Sequence, residues 1–375
     1  MQFRDLHAQY LALKPQIDAG IQSVIDSTAF ILGAPVKELE DKLAAYTGRK
    51  HCIGVANGTD ALQLALMAYD VGAGDAVFVP DFTYFATAGS GSIIGATPVF
   101  VDIDLDTFNM SAGDLEKRIR AVLDEGRLRP RFIVPVDLFG LPANYDEIIP
   151  IAEKYGLRIL EDGAQGFGGE IRGKKACSFG DISATSFFPA KPLGCYGDGG
   201  AIFTDDDAID ARLRSLRAQG KSPEDKYDNR EIGMNSRLDT LQAAILLPKL
   251  KAFEEYELDA VNRVADRYTA ALKGKVKTPT IPEGFRSSWA QYTILLESRE
   301  RRDGIQRALK AKGIPTMVYY PRGLHQQQAY AWMGLSDREF PNTVKAASCV
   351  LSLPMHPYIE ESEQDFIINS LLEVL

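Results

Sequence analysis

Cysteine is scarce in this chain and thinly spread. Cys52, Cys177, Cys195 and Cys349 form no CxxC pair, which argues against a disulfide framework or a zinc knuckle and leads us to expect free thiols in a reducing cytosol. Long apolar runs are missing too. No stretch approaches the roughly 18 uninterrupted apolar residues of a membrane span, and the opening Met1-Gln-Phe-Arg-Asp lacks the basic-then-apolar order of a secretory signal. The expectation is a cytoplasmic protein. Positive charge is in deficit, 42 Lys and Arg against 51 Asp and Glu. With no basic stripe to neutralise phosphates, broad nucleic-acid binding is disfavoured.

What is present is ordinary globular composition, 45% hydrophobic and 25% charged over 375 residues. A chain of that length can bury two domain cores. Short β-rich runs alternate with amphipathic stretches. Strands are expected at 51–55, 76–79, 97–101, 132–136, 157–160, 182–187 and 200–204, and helices at 60–69, 111–124 and 145–154. This alternation predicts an α/β fold, with a mostly parallel central sheet covered by helices. Ligands bind such sheets beyond the carboxyl ends of the strands. After Ser236 the texture changes to a long helical stretch, 237–272, interrupted at Pro248. The boundary is expected near residue 250: a large domain over 1–250, with an N-terminal helical segment, and a smaller α+β domain over 251–375.

Three stretches carry chemistry. In "CIGVANGTDALQLALMAY" a strand ends at Asn57-Gly58 and Thr59 stands where an N-cap belongs. A helix start suits a phosphate, although a capped helix with no ligand reads equally well. In "GLRILEDGAQGFGG", Asp162 falls at the carboxyl end of a buried strand with Gln165 three residues on. It is either a helix-capping residue or a buried anion awaiting a cation. In "DISATSFFPAKPLG", Lys191 lies between Pro189 and Pro192 after Ser186. Pro189 fixes its own φ, and Pro192 pushes Lys191 away from helical geometry. A solvated loop lysine gains nothing from such restraint, but a nucleophile that must meet one atom does.

Taken together, the three fit a pyridoxal 5′-phosphate site. A lysine amine condenses with the aldehyde, an acid pairs with the pyridine nitrogen, and a helix start cradles the phosphate.

At this point the chain resembles the DegT/DnrJ/EryC1/StrS sugar aminotransferases. The likeness runs from "FILGAPVKELEDKLAAYTG" through "ANGTDALQLAL", "PDFTYFATA", "ILEDGAQGFGG", "SFFPAKPLG", "MNSRLDTLQAAIL" and "YYPRGLHQQQAY" to "SLPMHPY". The resemblance implies a fold-type I architecture with pyridoxal phosphate as cofactor. It also implies Lys191 as the Schiff-base lysine and acid–base, Asp162 on the pyridinium nitrogen and Gln165 on the ring's 3-oxygen. Gly58, Thr59 and Ser186 would hold the phosphate. Tyr84 would stack on the ring, its alternative being a core aromatic. Asn235 would reach the phosphate from the partner subunit of a homodimer. Gly163 stands where alanine is usual, and Pro192 where asparagine is frequent. A dehydratase branch carries histidine at the lysine position, so Lys191 favours transamination.

The motifs look most similar to members that aminate C3 of a 3-keto UDP-N-acetylglucosaminuronate with glutamate as donor, for bacterial surface polysaccharide. Arg237 is the candidate for the hexuronate carboxylate, since guanidinium binds carboxylate bidentately; bracing a dimer interface is its alternative. His325 is a candidate substrate contact or a structural hydrogen-bonder. The competing readings are C4 amination of a 4-keto-6-deoxy sugar nucleotide and a non-catalytic nucleotide-sugar sensor.

Overall fold

The computed structural model describes residues 1–375 apart from 223 and 226. Runs rich in Val, Ile and Phe form one seven-stranded sheet: β1 (His51–Val55), β2 (Asp75–Pro80), β3 (Thr97–Val101), β4 (Arg129–Ile133), β5 (Arg158–Asp162), β6 (Ile182–Ser186) and β7 (Gly200–Thr204). Their order is β1-β7-β6-β5-β4-β2-β3. All run parallel except β7, which pairs antiparallel with both β1 and β6. All six residues of β2 and all five of β7 are buried, as expected of strands covered on both faces.

Helices supply the covers. In chain order these are α1 (Leu6–Ser27), α2 (Ala34–Thr47), α3 (Gly58–Met67), α4 (Ala86–Ile93), α5 (Ala112–Glu125), α6 (Tyr145–Tyr155) and α7 (Asp207–Leu216). The period-2 alternation of β2 sorts them. Val77 and Val79 pack with Leu62 of α3, Ala88 of α4 and Leu213 of α7. Ala76 and Phe78 pack with Leu115 of α5 and Ile148 of α6 on the other face. Each such fully buried Val or Phe side chain contributes about 1.5–3 kcal/mol relative to exposure.

Several expected bounds shift by one or two residues, and two expectations change by more. The fourth strand lies at Arg129–Ile133, three residues before the expected 132–136, because Arg129 and Pro130 already pair with Asp75 and Ala76 of β2. The helical run after Ser236 is not broken at Pro248. That residue sits inside α8 (Thr240–Ala252), and the run passes through wider turns at Phe253–Glu257 into α9 (Leu258–Leu272). Proline at 248 leaves the Ala244 carbonyl without its usual donor. There α1 comes close: a Cβ on Gly20 would lie 3.1 Å from that oxygen.

Residue 250 therefore lies within a helix. Leu246, Leu250 and Phe253 share one core with Tyr268, Tyr292 and Leu371. The C-terminal part is an antiparallel pair, β8 (Tyr292–Leu295) with β9 (Val350–Leu353), flanked by α10 (Arg299–Ala311), α11 (Pro341–Cys349) and α12 (Glu361–Leu372). Buried Glu40 of α2 braces the sheet edge. It accepts from Arg217 at 2.6 Å, from Arg214 at 2.9 Å and from the Gly54 amide of β1 at 2.9 Å. Among the described residues, no helix is long and apolar enough to cross a membrane.

Candidate active site

The carboxyl ends of β1, β5 and β6 open into a cavity of about 460 Å³, within the range of sites for small ligands. Lys191, Asp162, Gln165, Gly58, Thr59, Ser186 and Tyr84 all line it. Seven of the ten residues singled out in the sequence are thus brought to one place.

Lys191 follows β6 in a tight turn. Its backbone N–H donates to the Phe188 carbonyl at 2.8 Å, so the chain reverses just before the amine. Loss of hydration lowers the ammonium pKa below the usual lysine value, Asp162 opposes that shift and Arg4 adds to it. Removal from water favours the neutral amine, the form that attacks a carbonyl.

Asp162 ends β5 and is buried, 4% exposed. Its Oδ2 accepts from the Thr87 hydroxyl at 2.8 Å and its Oδ1 from the Ala164 amide at 3.2 Å. Burial pushes its carboxyl upward, while those two bonds and the Lys191 charge pull it back. Gln165 is held by both ends of its amide: Oε1 accepts from the Phe139 amide at 2.8 Å, and Nε2 donates to the Tyr320 hydroxyl at 3.1 Å. The second N–H on Nε2 remains for a ligand.

The helix start differs in detail from the expectation. α3 begins at Gly58, and its cap is Asn57, whose side chain accepts from the Asp60 amide at 2.8 Å; Thr59 is already in the first turn. The early amides of Gly58 and Thr59 are thereby left facing the cavity at the positive end of the helix. Gly58 is required by close approach, because a Cβ there would stand 2.6 Å from Cβ of Ser186. The Ser186 hydroxyl thus sits against the helix start, completing a cradle for a phosphate.

Tyr84 is 58% exposed at the cavity wall, its ring 6.3 Å from that of Tyr320; the core-aromatic alternative does not hold. Of the two alternatives for His325, the geometry matches the structural hydrogen-bonder. It lies outside the cavity lining, buried, with Nδ1 2.6 Å from Asp81 and Nε2 2.9 Å from Asp337, and it stacks on Phe340. Both ring nitrogens are committed to structure. Asn235 is exposed and Arg237 half-exposed, and neither lines the cavity of its own chain. Ser236 between them accepts from the Ala56 amide at 3.1 Å, beside the helix start.

Sequence reasoning missed Thr87 and Tyr320. Thr87 lies in "PDFTYFATA", one helical turn after Tyr84, and that spacing was its only signal. Tyr320 belongs to a stretch from the C-terminal part, and nothing local tells which of its neighbours meets Gln165.

A lysine amine, a buried carboxylate and a helix start line one cavity of an α/β fold, an arrangement suited to enzymes whose lysine takes a carbonyl-bearing cofactor. The donor set fits pyridoxal phosphate, offering a group to each of its aldehyde, ring nitrogen and phosphate. The chain belongs to the DegT/DnrJ/EryC1/StrS aminotransferase family, whose profile matches residues 12–372. A Pseudomonas aeruginosa UDP-2-acetamido-2-deoxy-3-oxo-D-glucuronate aminotransferase is 46% identical over 372 residues, 99% of each chain. The crystal structure of a family aminotransferase from Brucella abortus superposes with a TM-score of 0.96 at 50% identity, covering 100% of this chain and 99% of that one. NtdA from Bacillus subtilis, solved with bound cofactor PMP, superposes with a TM-score of 0.86 at 30% identity, covering 96% of this chain and 81% of that one.

Proposed function

We propose that this aminotransferase converts a 3-keto UDP-N-acetylglucosaminuronate to the 3-amino sugar, with pyridoxal phosphate as cofactor and glutamate as amino donor. It would act in the cytoplasm and feed bacterial surface-polysaccharide synthesis. The observation that carries the substrate is the 46% identity, end to end, with a relative named for that 3-oxo-glucuronate. Lys191, Asp162 and the α3 cradle supply the chemistry.

When bound, the cofactor supplies an electron sink for the charge left by removing a proton from the donor carbon. Lys191 Nζ would hold the cofactor through its aldehyde carbon, and the same amine, when free, would take up and release a proton in the site. Asp162 keeps a negative charge at the ring nitrogen, supported by Thr87. Gln165, locked by Phe139 and Tyr320, presents an N–H to the ring oxygen. Gly58, Thr59 and Ser186 bind the phosphate, and Tyr84 covers the ring. In this reading the enzyme is a homodimer, with Asn235 of the partner subunit on the phosphate and Arg237 of the partner subunit at the hexuronate carboxylate.

The test is a panel of keto sugar nucleotides offered to enzyme already converted to its amine form by glutamate. Recovery of the lysine-bound absorption band with the 3-keto hexuronate alone supports the proposal. Recovery with a 4-keto-6-deoxy sugar instead would move the assignment to C4 amination.

A further inference from the structure

The turn that carries Lys191 is gripped from two sides by cations that no motif pointed to. From the N-terminus, Arg4 donates through Nη2 to the Pro192 carbonyl at 3.3 Å. From α8, buried Lys249 donates to the Gly194 carbonyl two residues on. Arg4 is delivered by a short strap: the Phe3 carbonyl accepts from the Met355 amide at 3.1 Å, tying the chain start to the C-terminal part. Its guanidinium has no carboxylate within ion-pair distance among the described residues. The groups facing it are Glu257, Tyr319, Lys249, His356 and Lys191 itself.

We propose that Arg4 is a positioning residue for Lys191, fixing the Lys191–Pro192 turn through the Pro192 carbonyl and holding a positive charge against that turn. This rests on the reading of Lys191 as the cofactor-binding lysine. A turn flanked by two prolines has few ways to move, and a donor on the carbonyl after Lys191 removes most of the remaining freedom. The charge acts on the amine directly. A neighbouring cation disfavours the ammonium and favours the neutral amine, a known way to activate a lysine nucleophile.

The other charged or titratable groups facing Lys191 are Asp162 from β5, which acts in the opposite sense, and Asp198, Tyr84, Tyr319 and Tyr320 around the cavity wall. Arg4 is the cation among them. Burial lowers its own pKa to about 10, so it stays charged over a neutral working range. His356, pushed down to about 4 by burial and by Arg4, adds no competing charge there.

The holoenzyme tests this. The near-visible band of the bound cofactor is titrated with pH, and borohydride fixation with peptide mapping identifies the lysine that carries it. In Arg4→Gln the midpoint of the band rises by about one pH unit, a tenfold change in proton affinity. Its kcat falls about tenfold while the KM for sugar nucleotide stays within about twofold. Arg4→Lys keeps the charge but not the planar donor, so its midpoint stays within about 0.3 unit of wild type while kcat falls. A folded Arg4→Gln enzyme with the wild-type midpoint overturns the proposal. Should Arg4→Gln not fold, Arg4→Lys decides alone, and wild-type kcat there overturns it. Cofactor fixed to a different lysine sinks the reading of Lys191 instead, so the two failures are told apart.

Discussion

The Thr87 hydroxyl donates to Oδ2 of Asp162 at 2.8 Å, from the first turn of α4 to the end of β5. It is one of two hydrogen bonds that favour the ionised carboxylate in a buried place, the other coming from Ala164. Thr87→Val keeps the shape and removes the donor. A hydrogen bond to a charged group is worth about 1.5–3 kcal/mol, so cofactor affinity should fall by about tenfold or more. Fluorescence titration of cofactor-free enzyme with pyridoxal phosphate measures it. Wild-type affinity in the variant would mean that Asp162 needs no help to stay ionised.

Lys191→Ala removes the only amine lining the cavity among the described residues. Borohydride treatment should then leave no cofactor attached to the protein. Turnover should drop by at least about three orders of magnitude, since both the covalent anchor and the proton carrier are gone. Cofactor still bound non-covalently would show that the α3 cradle and Asp162 work without the lysine.

Among the described residues, Glu40 is the one carboxylate that reaches both Arg214 and Arg217. Arg214 has a second partner in Asp210 at 2.9 Å, but Arg217 depends on Glu40 and the Gly54 carbonyl. Glu40→Ala therefore strands a buried guanidinium, at a cost of about 3–5 kcal/mol. Urea unfolding should show that loss, and a change below about 1 kcal/mol would mean that water reaches Arg217 and solvates it.

The strands and the main site groups were legible because each is announced locally. Buried parallel strands read as apolar runs, and Lys191 is marked by its two prolines. The cap of α3 was misplaced because Asn57 and Thr59 are both good cap residues, and only the strand's end at Val55 decides between them. Pro248 misled because a proline costs a helix one donor, which a packed helix tolerates when its neighbour fits the freed carbonyl. Thr87, Tyr320 and Arg4 were invisible for another reason. Their contacts span 75, 155 and 188 residues, and no local pattern encodes such a pairing. His325 stayed open between two roles because a histidine inside a family motif signals use, not which use, and only its bonds to Asp81 and Asp337 favour the structural one.

That histidine gives a pH prediction. Burial would lower the His325 pKa, but its bonds to Asp81 and Asp337 outweigh this and hold it above the usual 6.5. Burial pushes Asp81 upward as well; we place the proton on His325, because Asp337 reinforces it from the second nitrogen. A folded-state pKa above the unfolded one means that the folded protein binds more protons. The stabilisation is complete below about pH 6.5 and is lost as pH rises through the folded value. Urea midpoints should fall across that window in the wild type and stay flatter in His325→Gln. Equal slopes in the two proteins would place the proton elsewhere.

Arg237 offers a test of the proposed substrate. It is half-exposed two residues after Asn235, outside its own chain's cavity, with no carboxylate within ion-pair distance among the described residues. A guanidinium so placed is free to grip a carboxylate offered by a hexuronate seated at a subunit boundary. Arg237→Ala should then raise the KM for the 3-keto hexuronate about 10- to 100-fold, the equivalent of one charge-assisted bond lost, with kcat little changed. Arg237→Lys should recover only part of that, because an ammonium cannot make the paired contact. A 6-deoxy sugar, lacking the carboxylate, should be indifferent to both variants. Unchanged hexuronate kinetics in Arg237→Ala would take Arg237 out of the site and leave its alternative reading, the bracing of a dimer interface.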